Sequence, residues 1–392
     1  MYMKRRVFVC AGIKFPRGDA GSNRIQYICK ALQLSKYQIK VISLGKQEPN
    51  HFSSEIGSYI YDGIIYENLH MRKGILQKIL SGRKTLDILE RNGLSKDDLV
   101  IIYGSNSLYV KPIMDYCRKR KVKIYIDVVE WHQFFQYRFG IFDPRYLSNK
   151  YCFDKLCPRI GNIITLSNCL KEHFESLNCK VLNIPVLINS DEQKNRRVIS
   201  SDNKIHLIYP GNPIHKDDIE VMLKGLRLLS DFEKERIRFH ITGVSEKNLR
   251  KYLGDQNVLL DDLSNIVVFH NWMEYEQLLK LYSMVDFLYM SRPNNLVTKA
   301  NFPSKIPELL AWGIVPIGNR VGDYYKYLKD GEDSILFNEN TPEQCCEAIQ
   351  RVLNMPYENI VKMKFKATKS AKQYFDYRLW VQYLDEFLKN DL

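Results

Sequence analysis

The chain is predicted to be an α/β protein of two Rossmann-like domains facing each other, and three observations in the sequence predict this. Short apolar runs alternate with segments of helical periodicity from Val7 to Ile184 and again from Ile205 to Phe337. The alternation breaks at INSDEQKNRRVISSDN, residues 188–203, which is polar and without period. A length of 392 residues exceeds what one ordinary core supports. Strands alternating with helices form a parallel sheet covered on both faces. The boundaries are therefore drawn as a first domain at 1–190, a linker at 191–203, a second domain at 204–374 and a terminal segment at 375–392.

In the first half, strands are expected at Val7–Ala11, Ile39–Leu44, Tyr59–Tyr66, Leu99–Tyr103, Lys123–Val129, Ile163–Leu166 and Val181–Ile184. Helices at Asn23–Ser35, Ile75–Glu90, Leu108–Lys119 and Asn168–Ser176 separate them. The second half restarts with strands at Ile205–Tyr209, Arg238–Thr242, Ile266–Phe269, Phe287–Met290, Ile314–Gly318 and Ile335–Phe337. Its helices are expected at Asp218–Leu229, Glu246–Leu253, Tyr275–Met284, Pro342–Leu353, Ile360–Tyr374 and Tyr377–Leu388. A further helix carries Ile306, Leu309, Leu310 and Trp312 on one face and ends at Gly313. Pro307 lacks an N–H, which is harmless only in a first turn, so this helix starts close to Ser304, its expected N-cap.

Composition narrows the function classes. No stretch approaches the roughly 20 apolar residues of a membrane span, and MYMKRRVFVCAGIKF runs into a strand with no apolar leader, so a cytoplasmic location is expected. Nine cysteines include no C-x-x-C pair, which points away from a zinc or redox motif and towards small buried residues. The net charge of +13 is uneven: residues 1–190 hold 30 Lys and Arg against 16 Asp and Glu, while the remainder holds 28 against 29. No aromatic-interleaved basic stripe accompanies this charge, so nucleic acid is not the expected partner.

The stretch DFLYMSRPNNLVTKANFPSKIPELLAWGIVPIGNRVG, Asp286–Gly322, bears most directly on function. A buried strand, a polar loop and a fresh helix N-terminus make an anion site, because unpaired N–H groups and the positive dipole end converge there. Lys305 adds a full charge. Glu308 lies one turn below Ser304, where its carboxylate can accept hydroxyl hydrogen bonds from a ribose. Pro303-Ser304-Lys305-Ile306-Pro307-Glu308-Leu309-Leu310-Ala311-Trp312-Gly313, followed by Val315-Pro316-Ile317, resembles the donor-site signature of retaining glycosyltransferases of the GT-B fold, family 4 (group 1) type. That resemblance implies a nucleotide-diphospho-sugar donor, with UDP the expected nucleotide, no cofactor or metal, and Glu308 on the nucleotide ribose. It also implies a C-terminal helix crossing back to the first domain, a role that Tyr377–Leu388 can fill. Many family members carry a second Glu eight positions before Glu308; here Ala300 stands in its place, with Asn301 beside it as a substitute.

Other residues converge on the same reading. After the strand Ile205–Tyr209 come Gly211, which permits a sharp exit, and Lys216, just before a helix. Family members carry an Arg–Lys pair here for the diphosphate; Lys216 matches the Lys, but Asn212 stands where the Arg is usual. In the first domain, CAGIKFPRGDAGSNR offers Gly18, Gly21, Ser22 and Arg24 as a loop for a phosphate or an acceptor hydroxyl. It is not G-x-G-x-x-G, and the second strand ends in Gly45-Lys46 with no acidic residue for a ribose, which disfavours a dinucleotide.

Asp127, Glu130 and His132 follow a hydrophobic strand, where parallel sheets place ligands, and are the candidates to orient or deprotonate an acceptor; the sequence does not rank them. An acidic residue plus Trp131 at this point resembles enzymes that build surface polysaccharides. No Asp-x-Asp occurs, so a metal-free site is expected, in which Lys216 and a helix end stabilise the leaving diphosphate. The basic first domain fits a polyprenyl-linked glycan acceptor at an anionic membrane, with Arg118, Lys119, Arg120, Lys121 and Lys123 as the densest cluster, extended by Arg83 and Lys84. A hydrolytic sugar-nucleotide epimerase and a non-catalytic relative on the same fold are the competing readings.

Overall fold

The computed structural model describes residues 5–16, 20–45, 57–69, 75–191, 202–213, 216–270 and 273–389, with the side chains of 75–79 and 275 excepted. Most of 191–203 lies outside these residues. Two compact units form: Met1–Asn189 joined by Tyr377–Leu392, and Ser190–Asp376.

The first unit is an eight-stranded sheet. Its strands are β1 Arg6–Ala11, β2 Gln38–Ser43, β3 Tyr59–Tyr61, β4 Ile64–Asn68, β5 Leu99–Tyr103, β6 Lys123–Val128, β7 Asn162–Thr165 and β8 Lys180–Asn183, in the order β3-β4-β2-β1-β5-β6-β7-β8. All neighbours are parallel except β3 and β4. The sequence reading had one strand over 59–66. The chain instead doubles back at Asp62-Gly63, both with positive φ (47° and 76°), the mirror-type turn that joins two antiparallel strands.

The second unit is a six-stranded parallel sheet of β9 Ile205–Pro210, β10 Ile237–Thr242, β11 Val267–Phe269, β12 Phe287–Met290, β13 Val315–Asn319 and β14 Ile335–Phe337, in the order β11-β10-β9-β12-β13-β14. Strands such as β5, β12 and β13 are buried along their whole length, as expected where helices cover both faces. Each sheet has one point at which the strand order reverses, between β1 and β5 and between β9 and β12. Ligands of open α/β sheets bind there, beyond the carboxyl ends of the strands.

The last helical stretch, Tyr377–Trp380 and Val381–Lys389, belongs to the first unit. Tyr37 Oη donates to Asp385 at 3.0 Å and Tyr125 Oη to the Leu388 carbonyl at 3.0 Å, while Leu384, Phe387 and Leu388 join the same core as the inward residues of β1 and β2. Between β6 and β7, where no element was expected, the chain forms turns at Phe134–Gln136 and Gly140–Phe142, then helical segments Pro144–Tyr151, Cys152–Leu156 and Cys157–Ile160. Among the described residues no helix is long and apolar enough to cross a membrane.

Candidate functional site

The crevice of the second unit sits at the β9/β12 reversal. The exits of both strands lead into it, with Gly211, Lys216 and Asp217 after β9 and Ser291 and Arg292 after β12. Arg292 is its centre. The side chain is 1% exposed, and its Nε donates to Asp217 Oδ1 at 3.0 Å and to the Lys216 carbonyl at 3.2 Å. Nη2 donates to Asn301 Oδ1 at 3.0 Å, and Nη1 is buried without a partner among the described residues. Asp217 also accepts from Tyr209 Oη at 2.9 Å, so one carboxylate balances a guanidinium that keeps an unused donor.

Lys305 completes the group. Its ammonium lies over the Tyr209 ring, 5.3 Å from the centroid, and against Gly211, where any Cβ would collide with it. Burial pushes its pKa below the ordinary lysine range, with Asp217 opposing and Arg292 and Lys216 adding to the fall. Gly243, with φ +79°, brings its backbone so close to Gly211 that a Cβ would stand 3.1 Å from the Gly211 Cα. Both glycines are thus close-approach positions. Glu308 is one turn further along the helix; burial raises its pKa, Lys305 opposing, and no donor among the described residues reaches its carboxylate.

One expectation at this crevice needs correction. The helix is short, Lys305–Ala311, and Ser304 precedes it with helical backbone (φ −60°, ψ −24°) and no side-chain capping bond, so Ser304 does not cap it through its hydroxyl. Asn212 is exposed and no bond joins it to the cluster, whereas Asn301 serves Arg292. Sequence reasoning missed Arg292. The polar exit Ser-Arg-Pro-Asn-Asn after β12 was the available signal, because a strand exit beside the reversal point is where a cation is useful. The same loop holds a short helix, Leu296–Lys299, capped by Asn295 Oδ1, which accepts from the Thr298 amide at 3.1 Å.

The first unit has its own pocket at the β1/β5 reversal, a cavity of ≈ 480 Å³. Gly12 follows β1, Gly104–Asn106 follow β5, Asp127 lies near the end of β6, and Glu130 and His132 follow it. His132 is held from both sides. Its Nδ1 lies 2.9 Å from Tyr137 Oη, which also accepts from Asn149 Nδ2 at 2.7 Å, and its Nε2 lies 3.1 Å from Ser105 Oγ and 3.8 Å from Glu130 Oε2. Trp131 packs on Phe153 and His173, with ring centroids 4.8 and 4.4 Å away.

Arg24 and Asp127 take a different role from the one expected. Arg24 Nε donates to Asp127 Oδ2 at 2.7 Å and Nη2 to Oδ1 at 2.9 Å, both side chains being at most 3% exposed. The guanidinium also bonds the carbonyls of Thr165, Ile184 and Pro185. This buried fork ties the first helix, β6, β7 and the exit of β8 together, with all the Arg24 donors used and both Asp127 oxygens held by the guanidinium. The helix begins at Ala20 rather than Asn23, so Gly21, Ser22 and Arg24 are helical rather than loop residues. Ser22 Oγ donates to the Pro16 carbonyl at 3.0 Å and is buried, whereas Gly21 lines the pocket. Gly18 lies outside the described residues.

Over its whole length the chain is similar to solved GT-B enzymes. Sucrose-phosphate synthase from Thermosynechococcus elongatus superposes with a TM-score of 0.72 at 12% identity over 98% of both chains. A glycosyltransferase from Rickettsia africae gives 0.69 at 13% over the full length of both. HepE from Anabaena, solved in complex with UDP and glucose, gives 0.65 at 12% over 98% of this chain and 99% of its own. The fold is GT-B. Residues 190–373 match the family described as glycosyl transferases, group 1, so the second unit is a group 1 glycosyltransferase domain. A comparison with curated proteins by sequence finds no significant match.

Proposed function

We propose that the protein is a metal-independent retaining glycosyltransferase of the family 4 type. It transfers a hexosyl or related sugar from a nucleotide-diphospho-sugar, UDP-linked, to a lipid-linked glycan during assembly of a cell-surface polysaccharide.

The observation that carries this reading is the cation group at the β9/β12 reversal. Lys216, Arg292 and Lys305 converge there, and a buried Arg292 donor is left unused among the described residues. A diphosphate supplies the missing acceptor. Arg292 takes over the charge that Asn212 cannot provide, reaching the crevice from β12 rather than from β9. Glu308, with free acceptor capacity beside Lys305, accepts from the ribose hydroxyls.

The bond from the anomeric carbon to the donor phosphate breaks with its electron pair passing to the diphosphate, where the three cations stabilise it. The acceptor hydroxyl forms the new bond to that carbon from the face the diphosphate leaves, which keeps the anomeric configuration, and its proton passes to the carboxylate of Glu130, next to the anchored His132, the residue proposed to orient it. HepE, whose structure holds UDP and glucose, supports a donor of this class.

Thermal-shift titration with UDP-, GDP-, ADP- and dTDP-sugars tests the donor, and product analysis with and without a polyprenyl-diphosphate-linked glycan tests the transfer. Acceptor-dependent product with the donor's anomeric configuration is expected, together with loss of turnover in Glu130→Gln at unchanged donor affinity. Release of free sugar regardless of acceptor would favour the epimerase reading instead.

A further inference from the structure

The segment between β6 and β7 exposes its large apolar side chains. Phe134, Phe135, Phe139, Ile141, Phe142 and Leu147 are all open to solvent, Phe139 at 61% and Phe142 at 78%. Single exposed apolar residues are ordinary, but six within fourteen positions mark a surface that another phase covers.

Polar bonds hold this platform from below. Asp143 caps the helix Pro144–Tyr151 and takes both ends of the Arg145 fork, at 2.9 and 2.7 Å. Ser148 Oγ bonds Ser107 and Asn106, at 2.9 and 3.1 Å, and Asn149 bonds Tyr137. The apolar side chains therefore stand on a fixed base.

Between 134 and 151 the exposed charged side chains are Arg138, Arg145 and Lys150; Arg145 is paired with the buried Asp143 and Lys150 with Asp154, both at 2.7 Å, so Arg138 is the cation here that has no carboxylate against it among the described residues. The Arg138 guanidinium lies 5.5 Å from the Phe139 ring, so cation and aromatic tip point the same way. An apolar tip with a basic collar complements an anionic bilayer, in which aromatic rings enter the interface and cations meet phosphates. A second copy of the chain would bring collar against collar, like charge on like.

Position favours the same partner. Glu130, His132 and Asn149 line the first-unit pocket and belong to or adjoin this segment. The cluster Arg118–Lys123 precedes β6 and so stands at the opposite edge of the sheet, about 20 Å away along a six-residue strand. Three of its cations are also engaged: Arg118 with the Arg159 carbonyl, Arg120 with Glu90, and Lys123 with the Leu388 carbonyl.

We infer that residues 134–151 are the membrane-docking surface of the first unit, seating its pocket at an anionic lipid interface. This rests on exposure and charge rather than on the transferase reading, and it can be read with no sugar present.

The test is co-sedimentation of the full chain with phosphatidylcholine vesicles, with and without about one third phosphatidylglycerol. Partition into the anionic vesicles is expected to exceed that into neutral ones by about tenfold or more, and to fall by about tenfold in Phe139→Ser/Phe142→Ser. Arg138→Ala/Arg145→Ala is expected to flatten the salt dependence, and Lys119→Glu/Lys121→Glu to stay within about twofold of the parent. A urea unfolding transition with the parent's midpoint and slope shows that each variant is folded. Equal partition of the parent and the Phe pair, or loss of binding only in the Lys pair, overturns the assignment. So does a dimer in sedimentation velocity that the Phe pair dissociates while vesicle binding is unaffected; that result would make the face a contact between copies.

Discussion

Replacing Gly211 with alanine tests the cation site without touching any charge. Gly211 is not one of the glycines held at positive φ, so an alanine there meets no backbone strain. Its methyl group would, however, occupy the place of the Lys305 ammonium. The end of a lysine is flexible, and moving it off the Tyr209 face forfeits a cation–π contact that is desolvated, about 2 kcal/mol. Stability should therefore drop by about 2 kcal/mol.

Donor binding should suffer too. A charge-assisted hydrogen bond to phosphate contributes about 1.5–3 kcal/mol, so Gly211→Ala should weaken a nucleoside diphosphate roughly 10- to 150-fold by isothermal titration calorimetry. Because the effect passes through one side chain, it should be non-additive. In a Lys305→Ala background the same methyl group should change affinity by less than about threefold. If Gly211→Ala costs as much with Lys305 removed as with it present, the loss arises elsewhere and the role given to Lys305 is wrong.

Other outcomes follow from the same geometry. Glu308→Gln is expected to weaken a nucleoside diphosphate by about tenfold or more while leaving inorganic pyrophosphate within about twofold, because only the former carries a ribose; an equal loss for both ligands would remove Glu308 from the ribose. Asp127→Asn should lower unfolding free energy in urea by about 3–5 kcal/mol, since it leaves the Arg24 guanidinium buried and uncompensated. A variant that unfolds like the parent but has lost turnover would instead return Asp127 to the chemistry.

His240, hydrogen-bonded between His206 and His270 at 2.9 Å each, has its pKa pushed down to about 3 by burial first and the neighbouring histidines next. Its unfolded value is near 6.5, so between these two the unfolded chain binds the extra proton and stability falls as pH falls. The contribution is about 2 kcal/mol lost by pH 5 relative to pH 8. His240→Asn should flatten that slope in urea titrations; an unchanged slope would assign it to other groups.

Much of the site was legible because its signals are local. Pro307 marks the start of its helix, Gly313 its end, and Lys305 and Glu308 follow by helical spacing from Ser304. Gly211 and Lys216 were placed by the strand and turn around them. The exposed segment 134–147 was not legible as structure. Its turns and short helices carry no sustained period, and its apolar residues are not paired with a buried face.

What the sequence determined by itself was the alternation of strand and helix, the break near 190 and the Pro303–Gly313 signature, all set by contacts within a few residues. Which cation meets which carboxylate was decided only by the tertiary structure. Arg24 finds Asp127 across 103 residues, and Arg292 finds Asp217 across 75. Such pairings depend on the order in which strands lie in a sheet, and period and turn chemistry do not encode that order. The same long-range placement turned two expected substrate contacts, Arg24 and Asp127, into a structural fork, and made an unremarked loop arginine the centre of the crevice.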